Sequence, residues 1–164
     1  MDKGKMAKIK EEAAKLGTSY YKFVEPFIIN INEKIGRGSY GEVYKGADIR
    51  NGNLIAVKTI STANIKKDPE KFYDSLKNEI EIMKAIKNDN IVELYDVKKS
   101  ANNIYLFQEL CDKGSLEEVL EKRKKLPEAE ALIIIRQLID GYRYLHEHSV
   151  IHRDLKPANI LIKD

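Results

Sequence analysis

Near the end of the chain stands His152-Arg153-Asp154-Leu155-Lys156-Pro157-Ala158-Asn159. A lone Asp after a His and an Arg carries little information. An Asp with a Lys two residues on and an Asn five residues on is far more specific. The set supplies a carboxylate to accept a proton, a cation to steady a transferring phosphate and an amide oxygen for a metal. The plain alternative is a polar loop after a helix, with His152 and Arg153 in ordinary surface hydrogen bonds. A second stretch weighs against that alternative: Gly36-Arg37-Gly38-Ser39-Tyr40-Gly41-Glu42-Val43, a glycine-rich run of the kind that lies over phosphates.

The elements around the glycines decide between two meanings. In a dinucleotide-binding fold such glycines follow a strand and open a helix. Here the preceding run, Phe27 to Ile35, is rich in β-branched residues, and the following run, Val43 to Ile49, alternates like a second strand. Glycines that join two strands make a flap whose backbone N–H groups approach a ligand closely. Asn51-Gly52 then predicts a type I′ hairpin, with positive φ at both positions. The returning strand, Asn53 to Ile60, carries Lys58 among apolar neighbours. A lysine in a strand is most often only solvent-facing; its place one hairpin after the glycine flap gives it a second reading.

Together these stretches resemble the eukaryotic protein kinases. The octet at 152–159 is similar to their catalytic loop in its serine/threonine form, and Ala56-Val57-Lys58 is similar to their V-A-I-K strand. The resemblance runs from about residue 27 to residue 164. It implies an α+β fold with a five-stranded antiparallel small lobe, one helix within it and the start of a helical large lobe. The implied segments are an N-terminal extension over 1–26, a small lobe over 27–109, and the hinge and start of the large lobe over 110–164.

It also assigns roles. Asp154 would be the base, and Lys156 would stabilise the transferring phosphoryl group. Asn159 would bind Mg²⁺. Lys58 would hold the α and β phosphates of ATP. Ile35, Gly36, Gly38, Gly41, Val43, Ala56, Glu109, Cys111 and Leu161 would surround the nucleotide, with Gln108 guarding the back of the pocket. A helix is predicted from about Pro69 to Lys87, with Phe72, Leu76, Ile80 and Met83 in one stripe. Glu79 on its border matches the glutamate that pairs with the strand lysine, and Glu81 is a rival. Arg153 beside the base implies control by phosphorylation of an activation segment.

Further strands are expected over 91–97 and 104–108, turning at Asn102-Asn103. A short helix is expected up to about Lys124, and a long one opened by Pro127. The stripe Ala131, Ile135, Leu138, Tyr142 and Leu145 is broadened by Leu132, Ile134 and Ile139, which predicts burial on several sides. The chain ends before the Asp-Phe-Gly motif that follows in such kinases. On that basis the 164 residues alone are expected to bind ATP weakly and to transfer no detectable phosphate.

Composition excludes other classes. The 29 basic and 26 acidic residues are interspersed, for a net charge of +3, which makes no nucleic-acid surface. Cys111 is the sole cysteine, as expected of a reducing, cytoplasmic setting. No apolar run approaches the ~20 residues of a membrane span, and the charged start has no signal-peptide core. In the first 17 residues Met6, Ile9, Ala13 and Leu16 recur at helical spacing, a loosely held extension through which a regulatory partner would attach.

The function expected is transfer of the ATP γ-phosphoryl group to serine or threonine hydroxyls of proteins. Two alternatives are a non-catalytic kinase fragment acting as a binding module and a small-molecule phosphotransferase. Arg153, Lys156 and the full glycine flap disfavour the latter. The presence of Lys58, Glu79, Asp154 and Asn159 together disfavours degeneration.

Overall fold

A computed structural model describes residues 20–38, 41–65 and 68–163. The amphipathic reading of residues 6–16 lies outside the described residues. Six strands form one antiparallel sheet: β1 (Tyr21–Val24), β2 (Phe27–Gly38), β3 (Gly41–Asp48), β4 (Leu54–Ser61), β5 (Leu94–Lys99) and β6 (Asn103–Glu109), in the order β1-β2-β3-β4-β6-β5. The helices are α1 (Pro69–Ala85), α2 (Leu116–Arg123) and α3 (Glu128–Glu147). Short 3₁₀ turns occupy Thr62–Asn64 and Pro157–Asn159.

The sixth strand is a departure from the five expected. Tyr21-Lys22-Phe23-Val24 turns at Pro26 and pairs back on β2, Val24 against Phe27 and Tyr21 against Asn30. Its alternation explains why it holds. Val24 packs on the aromatic core, Tyr21 packs on Ile28 and Ala47, and Lys22 Nζ sits 5.0 Å from the centre of the Tyr105 ring. Four residues give a weak sequence signal, and the pairing is legible only once β2 is in place.

The described residues divide into two compact units. The first joins residues up to Lys77 with Leu94–Leu110; the second joins Asn78–Glu93 with the residues from Cys111. The first unit holds the whole sheet. Its core is aromatic and aliphatic: Phe27, Ile29, Ile55, Val57, Tyr105 and Phe107 are all at most 1% exposed. The rings of Phe27 and Phe107 stack with centroids 3.9 Å apart. Because side chains alternate along β4, Ile55 and Val57 enter this core while Ala56 and Lys58 turn to the opposite face, both half-buried.

The hairpin after β3 differs from the type I′ turn expected. Among the described residues only Gly52 of the Asn51-Gly52 pair has positive φ, at 74°. Asp48 organises the turn instead. Its carboxylate accepts from the Arg50 backbone at 2.9 Å and from the Arg50 guanidinium at 2.7 Å, and its carbonyl accepts from Gly52 N–H at 2.7 Å. Asn51 Oδ1 accepts from Asn53 N–H at 2.9 Å, which leaves Asn51 no need of the left-handed region.

Helix α1 begins where Asp68 Oδ1 accepts from Lys71 N–H at 3.3 Å and Pro69 takes the first helical position. Only Leu76 of this helix is buried. The expected stripe is therefore half-covered. Strand β5 starts at Leu94 rather than at 91, because Asn88 Oδ1 and its carbonyl form a turn over 88–91 that holds that stretch out of the ladder.

In the second unit Ser115 caps α2, accepting from Glu118 N–H at 3.2 Å, and Arg123 forks onto the Glu130 carboxylate between α2 and α3. The long helix departs from the burial expected of its broad apolar stripe. Gly141 is its one buried residue, packed where Asn90 leaves no room for a larger side chain (an added Cβ would lie 3.0 Å from the Asn90 carbonyl). Ile133, Ile135, Ile139 and Tyr142 are 46–58% exposed, and a groove of about 360 Å³ runs between Leu138, Tyr142 and Leu155. The stripe's width reflects apolar composition, and the described residues offer it little to pack against. None of the described helices is long and apolar enough to cross a membrane.

If the sheet core is the seat of stability, Phe107→Ala should cost about 3–5 kcal/mol through lost burial and a residual cavity. Phe23→Ala, at a ring 55% exposed, should cost under about 0.5 kcal/mol. Urea denaturation followed by far-UV circular dichroism compares the two; equal effects would place the core elsewhere.

Candidate active site

The first unit carries the glycine turn and Lys58. Strands β2 and β3 close on each other as Gly36 opposite Val43, Arg37 opposite Glu42 and Gly38 opposite Gly41. Strand β3 then pairs with β4, Gly41 opposite Ile60, Val43 opposite Lys58 and Lys45 opposite Ala56. Cross-strand partners share a face, so Val43, Lys58 and Leu106 form one row, and Ala56 and Gln108 the next.

Gly41 is fixed by contact. A Cβ there would lie 1.7 Å from the Thr59 carbonyl oxygen, so β3 and β4 approach as only glycine permits. Gly38 lies over the Lys58 side chain, with an added Cβ 3.8 Å from its Cε. Gly36 would meet only Val43 at 3.6 Å, ordinary contact, so space there does not demand a glycine. Ile35 is 45% exposed at the mouth of the turn. Glu109 ends β6, and Cys111, half-buried and in no disulfide, follows two residues later.

The second unit carries the loop after α3. Val150 N–H donates to the Leu145 carbonyl as the helix ends, and His148 Nδ1 lies 2.8 Å from the Tyr144 carbonyl. The loop then folds around Asp154. Lys156 Nζ stands 3.0 Å from one carboxylate oxygen. Asn159 Nδ2 donates to the other oxygen and to the Asp154 carbonyl, both at 2.8 Å. Asp154 N–H donates to His152 Nδ1 at 3.3 Å. Arg153 takes φ of 65°, a left-handed conformation that costs energy in a side chain of this size. The Pro157–Asn159 turn brings Asn159 back to Asp154, its N–H bonded to the Lys156 carbonyl at 2.9 Å.

A short backbone ladder supports this loop from behind. Leu116 N–H donates to Ile160 at 2.7 Å, Ile162 N–H to Gly114 at 2.8 Å, and Ser115 pairs with Leu161. Leu161 is thereby held at a bridge, 44% exposed.

The electrostatics follow from the bonding. The Lys156 ammonium beside Asp154 holds its carboxyl below the usual aspartate range, the Asn159 amide adds to this, and slight desolvation opposes both. Asp154 is therefore ionised at neutral pH and able to accept a proton. The two Asn159 bonds use its amide nitrogen, which leaves Oδ1 as an uncommitted oxygen donor. Among the described residues no three His, Cys, Asp or Glu side chains cluster as a metal site.

Asp154, Lys156 and Asn159 are brought together in the second unit, and Gly36, Gly38, Gly41, Val43, Ala56 and Lys58 in the first. Glu79 lies in the second unit, exposed on α1, while Lys58 belongs to the first. Sequence reasoning missed the part of Glu42, which accepts from both Lys34 and Tyr44 across the glycine hairpin. A Glu one residue past the last glycine, with a Lys eight residues before it, was the available signal.

The chain is similar in sequence to known proteins. The protein kinase domain family matches residues 29–164. The chain is 34% identical over 137 residues to the serine/threonine-protein kinase atg1 of Dictyostelium discoideum, covering 82% of this chain and 20% of that protein. It is 36% identical over 133 residues to MAP3K epsilon protein kinase 1 of Arabidopsis thaliana, covering 80% of this chain and 10% of that one. It is 36% identical over 158 residues to the probable serine/threonine-protein kinase CCRP1 of Zea mays, covering 95% of this chain and 24% of that one. The chain thus spans a quarter or less of the length of these relatives. With the glycine turn over Lys58, the Asp154 loop and a match over most of its length, the chain belongs to the protein kinase family.

Proposed function

We propose that the protein transfers the γ-phosphoryl group of ATP to serine or threonine hydroxyls of other proteins. The observation that carries this reading is the Asp154 carboxylate, held between Lys156 Nζ at 3.0 Å and Asn159 Nδ2 at 2.8 Å. That arrangement is an ionised carboxylate with a cation beside it, the pairing that proton removal next to a transferring phosphoryl group needs. Relatives named as serine/threonine kinases support the choice of acceptor.

In the proposed step the hydroxyl oxygen attacks the γ-phosphorus, the bond to the β–γ bridging oxygen breaks, and ADP leaves. The hydroxyl proton passes to Asp154. Lys156 faces the charge that develops on the transferring phosphoryl oxygens, and catalysis is otherwise positioning. Lys58 beneath the glycine turn would hold the α and β phosphates, with Glu79 holding Lys58. Ala56, Val43, Ile35 and Leu161 would enclose the adenine, and Glu109 and Cys111 would bond its edge through their backbones. The free Oδ1 of Asn159 fits Mg²⁺, which prefers oxygen donors; when bound, the ion neutralises triphosphate charge. A cytoplasmic location rests on the lone Cys111 and remains part of the proposal.

Two substitutions test this. Asp154→Asn keeps the shape but accepts no proton, and should lower kcat about 10²–10⁴-fold in the full-length protein while ATP affinity stays near the parent's. Radiolabelled transfer to a serine/threonine peptide library measures it; equal turnover would remove Asp154 as the base. Lys58→Met should lower transfer by about 10²–10³-fold through loss of a charge on the phosphates, and unaltered transfer would remove Lys58 from the site.

The pH dependence has a definite sign. Asp154 has a depressed pKa, so its ionised form, and the bonds to Lys156 and Asn159, persist above the ordinary aspartate range and are lost as pH falls through the lowered value. Carboxyl-carbon NMR should show Asp154 titrating below the ordinary aspartate range, and Lys156→Met should move it upward. An Asp154 that titrates in the ordinary aspartate range would show that the Lys156 contact does not persist in solution.

A further inference from the structure

The β2–β3 ladder is interrupted below the glycine turn. Between the pairs Ile29–Gly46 and Lys34–Tyr44, β2 advances five residues while β3 moves two. A second irregularity separates Lys34–Tyr44 from Gly36–Val43. Bulges of this kind leave residues without ladder bonds and let the strand bend. The turn is thus carried on a stalk whose backbone pairing is broken at its base.

Side chains bridge that break. Both oxygens of Glu42 are taken, one by Lys34 Nζ from β2 and the other by the Tyr44 hydroxyl from β3. The Tyr44 ring packs against the core cluster of Phe27, Val57 and Phe107. The connection therefore runs from the buried aromatic core through Tyr44 to Glu42, and from Glu42 to the bulged strand. Glu33, next to Lys34, pairs with Lys45 Nζ at 3.6 Å and is itself held by Asn30 Nδ2 at 3.0 Å. Adjacent strand residues point to opposite faces, so the bulge is bridged on both. By the same alternation Glu42 and Tyr44 lie on the face away from Val43 and Lys58, and Glu42 makes no part of the nucleotide surface.

We propose that Glu42 is a positioning residue: with Lys34 and Tyr44 it sets the pose of the glycine turn that covers the ATP phosphates. The inference rests on the nucleotide site proposed above. The Lys34 ammonium, and secondarily the Tyr44 hydroxyl, hold the Glu42 carboxyl below its ordinary range, so the clasp is closed at neutral pH. Exposed ion pairs add little to global stability. The clasp accordingly acts on the local angle of the stalk, and its loss shows in ATP capture rather than in unfolding.

The test uses the full-length protein with Glu42→Gln, Lys34→Met, Tyr44→Phe and the exchange Lys34→Glu with Glu42→Lys. Glu42→Gln and Lys34→Met should each raise KM for ATP roughly two- to fivefold, with kcat within about twofold of the parent. Amide hydrogen exchange should quicken over 36–38 and 41–43 and stay at parent rates over 55–60. Tyr44→Phe keeps the ring in the core and should reproduce part of the KM change. The exchanged pair should return KM and amide exchange toward parent values, which a loss of packing would not. Parent values of both KM and amide exchange in Glu42→Gln would overturn the proposal. Failure of the parent itself to bind ATP would instead overturn the proposed nucleotide site, and amide exchange would then decide the clasp by itself.

Discussion

The approach of β3 to β4 at Gly41 is the constraint on which the first unit depends. An added Cβ at that point would stand 1.7 Å from the Thr59 carbonyl oxygen, so no side chain is compatible with this pairing. With Gly41 seated against Ile60, Val43 falls opposite Lys58 and Lys45 opposite Ala56. Each of these residues then shares a face with its partner. The same register carries Tyr44 and Val57 to the other side, into the aromatic core. One close contact thus sorts the residues of two strands between the face of the aromatic core and the opposite face, which carries Lys58 beside Val43 and Leu106.

A different economy governs the loop around Asp154. Almost nothing there is buried; Asp154 and Lys156 side chains are 62% and 53% exposed. Order comes instead from hydrogen bonds that converge on one residue, and from the backbone ladder linking Gly114–Leu116 to Ile160–Ile162. Asn159 is central, since its amide nitrogen bonds both the carbonyl and the carboxylate of Asp154. Such a loop tolerates the left-handed Arg153 because neighbouring bonds over-determine the chain path. An exposed carboxylate bonded in this way suits the base proposed above.

Much of this was legible in the sequence because the informative residues are local. The Asp, Lys and Asn of 154–159 act within one turn, and the glycines act within one hairpin. What escaped depended on contacts between distant residues. Strand β1 exists because Lys22 and Val24 reach Tyr105 and the aromatic core, which no window around residue 22 reveals. The Asn51-Gly52 turn took another form because Asp48 and Arg50 bond across it. On α3 the apolar pattern was read correctly as broad, but periodicity reports only which side chains are apolar. It does not report what covers them, and Gly141 alone is buried. The Glu42 bridge was missed because it compensates for bulges in β2, and bulges have no dependable sequence mark.

Lys58 beside Gly38 is proposed above to hold the phosphates of a bound ATP molecule. An ATP derivative bearing a reactive acyl group on its γ-phosphate tests this directly, since it acylates lysines lying beside the bound triphosphate. Peptide mass spectrometry of the labelled full-length protein should find the acyl group at Lys58, and excess ATP should block it. Labelling spread over exposed lysines such as Lys87, with Lys58 unmodified and no protection by ATP, would contradict the account.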